Sequence, residues 1–399
     1  MAKKYERKDL AKKNWNSTFE LIGKVKITDN TFSLENRSEK SDWLWNKMNL
    51  YVDCGEKHGS VFCQLMGGYG TTRNNLIYVH GKKDDGTDDF ENHYTIDFED
   101  RFNSTITSDL GAACFKRAFI EKDVKNNLVK KEFLADYDMI QYLSETLEND
   151  MVVHIRGTLS YRVYNGKINV EKDVSSIRLY DAEPENFKAT FRQTVLVDRD
   201  SLGEINKEKK TACVSAYIIE KFKEYNGHDL TNNGETNGKF VPLLKEFEFD
   251  LSQMKDAEQA KKALNRLFKP KKGVSQITFN GYFVEGGATV AITEDDVTDD
   301  IKELIDLGIM TWEDVEASCA SSGSREYRMV FRSPYIKPVH NADGTTTNTL
   351  QLFEGEYQDE DLQLECLTPI EDEEDNDDIE ITTNTDDDND DDASWLDEL

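Results

Sequence analysis

The chain has 399 residues, of which 37% are hydrophobic and 32% charged, and carries a formal net charge of −30. That length accommodates two or three domains, and the acidity argues against a uniformly basic nucleic-acid binder, so any such surface must be a local groove. The six cysteines form no C-x-x-C pair and no apolar run approaches the roughly 18 residues of a membrane span, which argues against a disulfide scaffold or a transmembrane helix and predicts free thiols in a reducing cytosol.

Residues 1–16 form a short basic arm containing Lys3, Lys4, Arg7, Lys8, Lys12 and Lys13, with no apolar stretch of the kind a signal peptide needs. From Phe19 the pattern alternates: Phe19, Leu21, Val25 and Ile27 predict a strand with Gly23 inside it. Residues 37–47 read as a polar loop carrying Trp43 and Trp45, followed by strands at Asn49–Cys54, Val61–Met66, Leu76–His80 and Tyr94–Phe98. Phe133, Tyr137, Ile140, Leu143 and Leu147 recur at intervals of three and four, which predicts one face of a helix. Two long strands then meet at Asn165-Gly166, a dipeptide that tolerates positive φ at both positions, and Gly157 marks a bend in the first of them.

After a connector at 182–188 a second cycle begins. Strands are predicted at Ala189–Val197, Thr211–Ile219 and Phe240–Phe249, a helix over 256–268, and a strand at Val274–Val284 with Gly281 in mid-run. Two short helices follow, one around Ile301, Leu304 and Ile305 and one opened by the capping pattern Thr311-x-x-Asp314, before strands at Tyr327–Phe331 and Leu350–Phe353. Strands, a helix and a glycine-bent strand thus occur twice. The predicted class is mainly β (α+β): two five-stranded Greek-key barrels with inserted helices.

Residues 371–399 contain sixteen acids and no Lys or Arg, leaving −14 on the preceding residues. So dense a like-charge block predicts disorder, with Trp395, Leu396 and Leu399 as an apolar tip. Such an arm suits two roles: imitating a nucleic-acid backbone, and offering its tip to a partner protein.

Little points to catalysis. Cys54, His58 and Cys63 lack the second ligand pair a zinc site requires. The segment from Asp198 begins like a calcium loop, but Leu202 and Lys209 stand where oxygen ligands are needed. P-loop, G-x-S-x-G and HExxH motifs are absent. No metal, cofactor or enzymatic activity is predicted.

The segments FELIGKVKI, NLYVDC and VFCQLMGGYG, then VVHIRGTLSYRVYNGKINV, then the acidic tail, resemble single-stranded DNA-binding proteins of the OB-fold class, particularly larger phage-type versions. The resemblance implies a basic arm (1–16), OB-like domains over 17–181 and 187–368, and a regulatory tail over 369–399. It implies a protein that coats single-stranded DNA during replication or recombination, in a cytoplasm, while its tail recruits replication proteins. The tail ends in Trp-Leu-Asp-Glu-Leu rather than the Pro-Phe or terminal Phe usual in that class.

Single strands are held by stacking bases on rings and tracking phosphates with Lys and Arg. The candidates are Trp43, Trp45, Lys47, Tyr51, Phe62, Tyr69, Arg73, Tyr78, Lys82, Arg156, Arg162, Tyr164 and Lys167 in the first half. In the second half they are Lys262, Arg266, Lys269, Lys271 and Lys272. Alternation puts Arg162 and Tyr164 on one strand face, while Tyr161 belongs equally to a core. Two other functions fit the composition: an acidic scaffold or nucleic-acid mimic that binds a basic protein, and a strand-annealing or nuclease-associated factor.

Overall fold

The computed structural model describes residues 10–206, 210–231, 237–254, 256–270, 273–287, 298, 301–302, 305, 325–340 and 345–369. The fold is mostly β. The first half comprises β1 (Ser17–Lys26), β2 (Phe32–Arg37), β3 (Trp43–Asp53), β4 (Ser60–Gly70), the hairpin β5 (Leu76–Lys82) and β6 (Asp88–Asp97), the short α1 (Ser104–Thr107), β7 (Lys116–Phe119), β8 (Lys131–Phe133), α2 (Asp136–Thr146), β9 (Val152–Tyr164) and β10 (Lys167–Leu179). The second half comprises β11 (Lys188–Val197), β12 (Leu202–Asn206), β13 (Thr211–Phe222), the small pair β14 (Glu224–Tyr225) and β15 (His228–Asp229), β16 (Lys239–Asp250), α3 (Ala257–Phe268), β17 (Ser275–Gly287), β18 (Arg325–Pro334), β19 (Ile336–His340), β20 (Thr346–Leu350) and β21 (Leu352–Glu354).

The pairings close on themselves twice. In the first half β1 pairs with β3, β3 with β4, β4 with β10 in parallel at Gln64↔Asp173, β10 with β9, and β9 with β1. In the second half β11 pairs with β13, β13 with β16, β16 with β18 in parallel, β18 with β17, and β17 with β11. Each circuit has its helix, α2 or α3, between its third and fourth strands. The sequence-level repeat is therefore also a repeat of pairing order.

Alternation fills the interior. On β3 the side chains of Leu44, Met48, Leu50 and Val52 are buried, and α2 adds Met139, Ile140 and Leu143. In the second half Phe268 of α3 stacks on Phe279 at 5.1 Å, and Phe279 on Phe331 at 4.6 Å. At Asn165-Gly166 both φ angles are positive, 48° and 71°, as the hairpin requires. The predicted helix over 133–147 is shorter: Phe133 lies in β8 and Leu147 caps the end. The two helices predicted around Ile301 to Ile305 and from Thr311 lie outside the described residues, apart from Ile301, Lys302 and Ile305.

One expectation is corrected. Residues 43–47 are not loop: β3 begins at Trp43. The misleading residue is Asn46, a polar side chain at an inward position. It is fully buried because its Oδ1 accepts from Glu35 N at 2.7 Å and its Nδ2 donates to Tyr137 O at 3.2 Å. A satisfied buried amide costs little, yet it breaks the apolar alternation on which strand recognition depends.

The halves join through β1 and β11, antiparallel from Ser17↔Gln193 to Ile22↔Lys188. A second seam packs the β3–β4 turn on β17. Glu285 N donates to His58 O at 2.9 Å, and His58 Nδ1 lies 2.9 Å from Phe283 O. There Lys172 Nζ stands 2.5 Å from Glu285 Oε1, both side chains almost wholly buried. Of the basic N-terminal arm, the described part lies against the second half: Leu10 is buried and Lys12 pairs with Glu220 at 3.0 Å.

Candidate nucleic-acid interface

The outward face of β3 follows from the same alternation that builds the core. With Leu44, Asn46, Met48, Leu50 and Val52 inside, Trp43, Trp45, Lys47, Asn49 and Tyr51 share the outer face, each half-buried. Across the ladder stand Gly70, Gly68, Met66, Gln64 and Phe62 in register. The Tyr51 and Phe62 rings lie 5.2 Å apart. Gly68 leaves the space beside Trp45 open, since a Cβ there would lie 2.6 Å from that of Trp45. Arg73 lies over the Trp43 ring at 5.7 Å, close to Asp42. The face thus carries two indoles, two further rings and two cations, the residue types that stack bases and track phosphates.

The other candidates divide. Tyr69 has the opposite parity on β4 and stacks on Phe98 at 4.6 Å and edge-on to Tyr137 at 5.2 Å, away from this face. Tyr78, 85% exposed, and Lys82 belong to the separate β5–β6 hairpin. Arg156, Arg162 and Tyr164 share the outer face of β9, and Lys167 lies opposite Tyr164. Arg162 is paired with Glu171 at 2.7 Å. Tyr161 is buried, its hydroxyl donating to Gln193 at 2.9 Å. On α3, Lys262 and Arg266 are exposed, as is Lys269 at its C-cap, whereas Lys271 and Lys272 lie outside the described residues, as do Trp395, Leu396 and Leu399.

A second surface was not foreseen. A cleft of about 1030 Å³ opens over the β1–β11 junction. Two rungs cross it in register: Thr158–Thr18–Arg192–Asn280, and Arg156–Glu20–Thr190–Tyr282. Lys57, Lys188 and Arg332 join from its margins. Glu20 is its one carboxylate among the described residues. It lies 2.6 Å from His154, 2.9 Å from Lys188 and 3.2 Å from Arg156. The hydrogen bond from His154, reinforced by Lys188, holds Glu20 well below the usual carboxylate range against the opposing effect of burial. The signal for Lys188 and Arg192 was present in the alternation of KATFRQTV, but it acquires meaning only once β11 pairs with β1.

The second half does not repeat the aromatic face. At the matching outward positions β13 and β16 present Cys213, Ser215 and Tyr217 opposite Glu248, Glu246 and Leu244. Arg328 is held by Glu248 at 2.9 Å. This face therefore offers neither a row of rings nor a free excess of cations among the positions named.

These features define a mainly β chain with two repeats of one pairing order and an aromatic, cationic strand face. No family model and no curated protein matches the sequence. Among solved structures, the wild-type single-stranded DNA binding protein from Thermus aquaticus aligns at 12% identity over 68% of this chain and 86% of its own, with a TM-score of 0.28. A deletion mutant of the same protein aligns at 12% identity and a TM-score of 0.28, over 68% of this chain and 87% of its own. Similarity that low carries no argument about this chain. No helix among the described residues is long and apolar enough to cross a membrane.

Proposed function

We propose that this protein binds single-stranded DNA without catalysis, coating strands exposed during replication or recombination. Each closed circuit of pairings is read as an OB-type Greek-key barrel, in which the outward face of the second and third strands receives the nucleic acid. In the first repeat those strands are β3 and β4. The observation that carries the reading is the row Trp43, Trp45, Lys47 and Tyr51 on one strand face, with Phe62 beside it. The tail, with sixteen acids in residues 371–399, acts as a competing polyanion and offers Trp395, Leu396 and Leu399 to replication proteins.

The test is a titration of dye-labelled oligo-dT at low and rising salt, followed by anisotropy. The reading expects tight, sequence-tolerant binding that weakens as salt increases, and tighter binding after deletion of residues 371–399. No binding at low salt discards the function. Unchanged affinity of the truncated chain discards only the competing role of the tail. The net charge of −14 on the residues before the tail supports a second reading, a scaffold for a basic protein, in which a cationic partner is captured regardless of added single strands.

A further inference from the structure

The cleft over the β1–β11 junction differs in chemistry from the face of β3 and β4. Among the described residues its charged lining is Lys57, Arg156, Lys188, Arg192 and Arg332 against Glu20, in a chain of net charge −30. Glu20 is taken up by His154, Lys188 and Arg156. Among the described residues no carboxylate lies within 4.0 Å of Lys57, Arg192 or Arg332. Rings position two of these cations: Lys57 lies 4.0 Å over Tyr282, with Asp250 beyond the ring as an electrostatic partner, and Arg192 lies 3.6 Å over Tyr335.

The same contacts remove the rings as stacking platforms. Tyr282 is capped by Lys57 and its hydroxyl donates to Asp250 at 3.2 Å, while Tyr335 is covered by Arg192. Between the cations the floor is low, built from Thr18, Thr158, Thr190, Ser333 and the two glycines Gly157 and Gly281. Hydroxyl and guanidinium donors over a flat floor match phosphate oxygens rather than bases.

We infer that this cleft is a phosphate-backbone site that holds the phosphodiester chain of a single strand at the junction of the two repeats, separately from the base-stacking face. For the identity of the polyanion it rests on the proposed single-strand function; its charge and shape stand without that function. A strand leaving β3 and β4 is then held by both repeats even though the matching strands of the second, β13 and β16, present no row of rings.

The experiment uses the full chain and two probes, inorganic polyphosphate and oligo-dT. The variant is Lys57→Glu with Arg332→Glu, two exposed side chains, and its melting temperature is expected to stay close to that of the wild type. Polyphosphate affinity should fall at least tenfold in the variant and its dependence on salt should become shallower, as fewer counterions are released. Tryptophan quenching by saturating oligo-dT should be retained. Unchanged polyphosphate affinity and salt dependence, or no polyphosphate binding by the wild type, overturns the inference while leaving the single-strand function intact. Polyphosphate binding that depends on these two residues in a protein that ignores oligo-dT sustains the site and discards the function instead. A change in sedimentation from dimer to monomer without loss of polyphosphate affinity overturns the inference in favour of a contact between copies.

Discussion

Phe19 of β1 and Phe191 of β11 stand directly opposite each other in the antiparallel ladder that joins the two repeats, and each faces a glycine on its other side. Gly157 of β9 pairs with Phe19, and Gly281 of β17 pairs with Phe191. The row Gly157–Phe19–Phe191–Gly281 therefore marks a pseudo-two-fold axis. A Cβ on Gly157 would lie 2.5 Å from the Phe19 ring and 2.0 Å from Asp173 O; on Gly281 it would lie 2.3 Å from the Phe191 ring and 2.5 Å from Val330 O.

Gly157→Ala and Gly281→Ala should each destabilise the fold by about 1–3 kcal/mol or more, because backbone and packed ring must both move. Urea denaturation of the two variants measures this. Equal stability to the wild type in either would remove the symmetry argument.

Trp43→Ala and Trp45→Ala should each weaken oligo-dT binding by about 1–3 kcal/mol, the value of a stacked base, with little change in stability. Tyr69→Ala should do the reverse. Its ring packs on Phe98 and Tyr137, so melting temperature falls while affinity holds. Paired melting and binding curves separate the two outcomes.

Lys172→Met should cost about 3–5 kcal/mol, since it strands the buried Glu285 carboxylate. Adding Glu285→Leu should recover part of that loss. Recovery stays incomplete because Glu285 Oε2 also accepts from Phe62 N at 3.0 Å. Equilibrium unfolding of the single and double variants gives the comparison.

Stability should fall in acid in two stages. Burial lowers the His58 pKa from its ordinary 6.5, so the folded chain holds the neutral ring while the unfolded chain takes up a proton below that pH. Glu20 is depressed in the fold, so its contribution is complete above its ordinary 4.5 and is lost as pH falls further. Thermal melts from pH 7 downward should show both losses, and Glu20→Gln should flatten only the second. A flat profile in the wild type contradicts the assignment.

Legibility in the sequence followed the range of the signal. Alternation exposed most strands, and Asn165-Gly166 located a hairpin, because both are local. Asn46 hid the start of β3, since its partners Glu35 and Tyr137 are known only from the fold. With that strand in place, Trp43 and Trp45 join Lys47, Tyr51 and Phe62 for a geometric reason the loop assignment could not supply. The junction cleft was illegible because Lys57, Arg156, Lys188, Arg192 and Arg332 come from distant parts of the chain and meet only through β1 and β11. Parity separates Tyr69 from its neighbours once the β3–β4 register is known.

The most direct test leaves Trp43 and Trp45 as the sole indoles, by replacing Trp15, Trp312 and Trp395 with Phe, and titrates the protein with unlabelled oligo-dT at low salt. Stacking on the β3 face predicts saturable quenching that tracks binding measured by anisotropy. Binding without quenching would place the bases elsewhere and contradict the account.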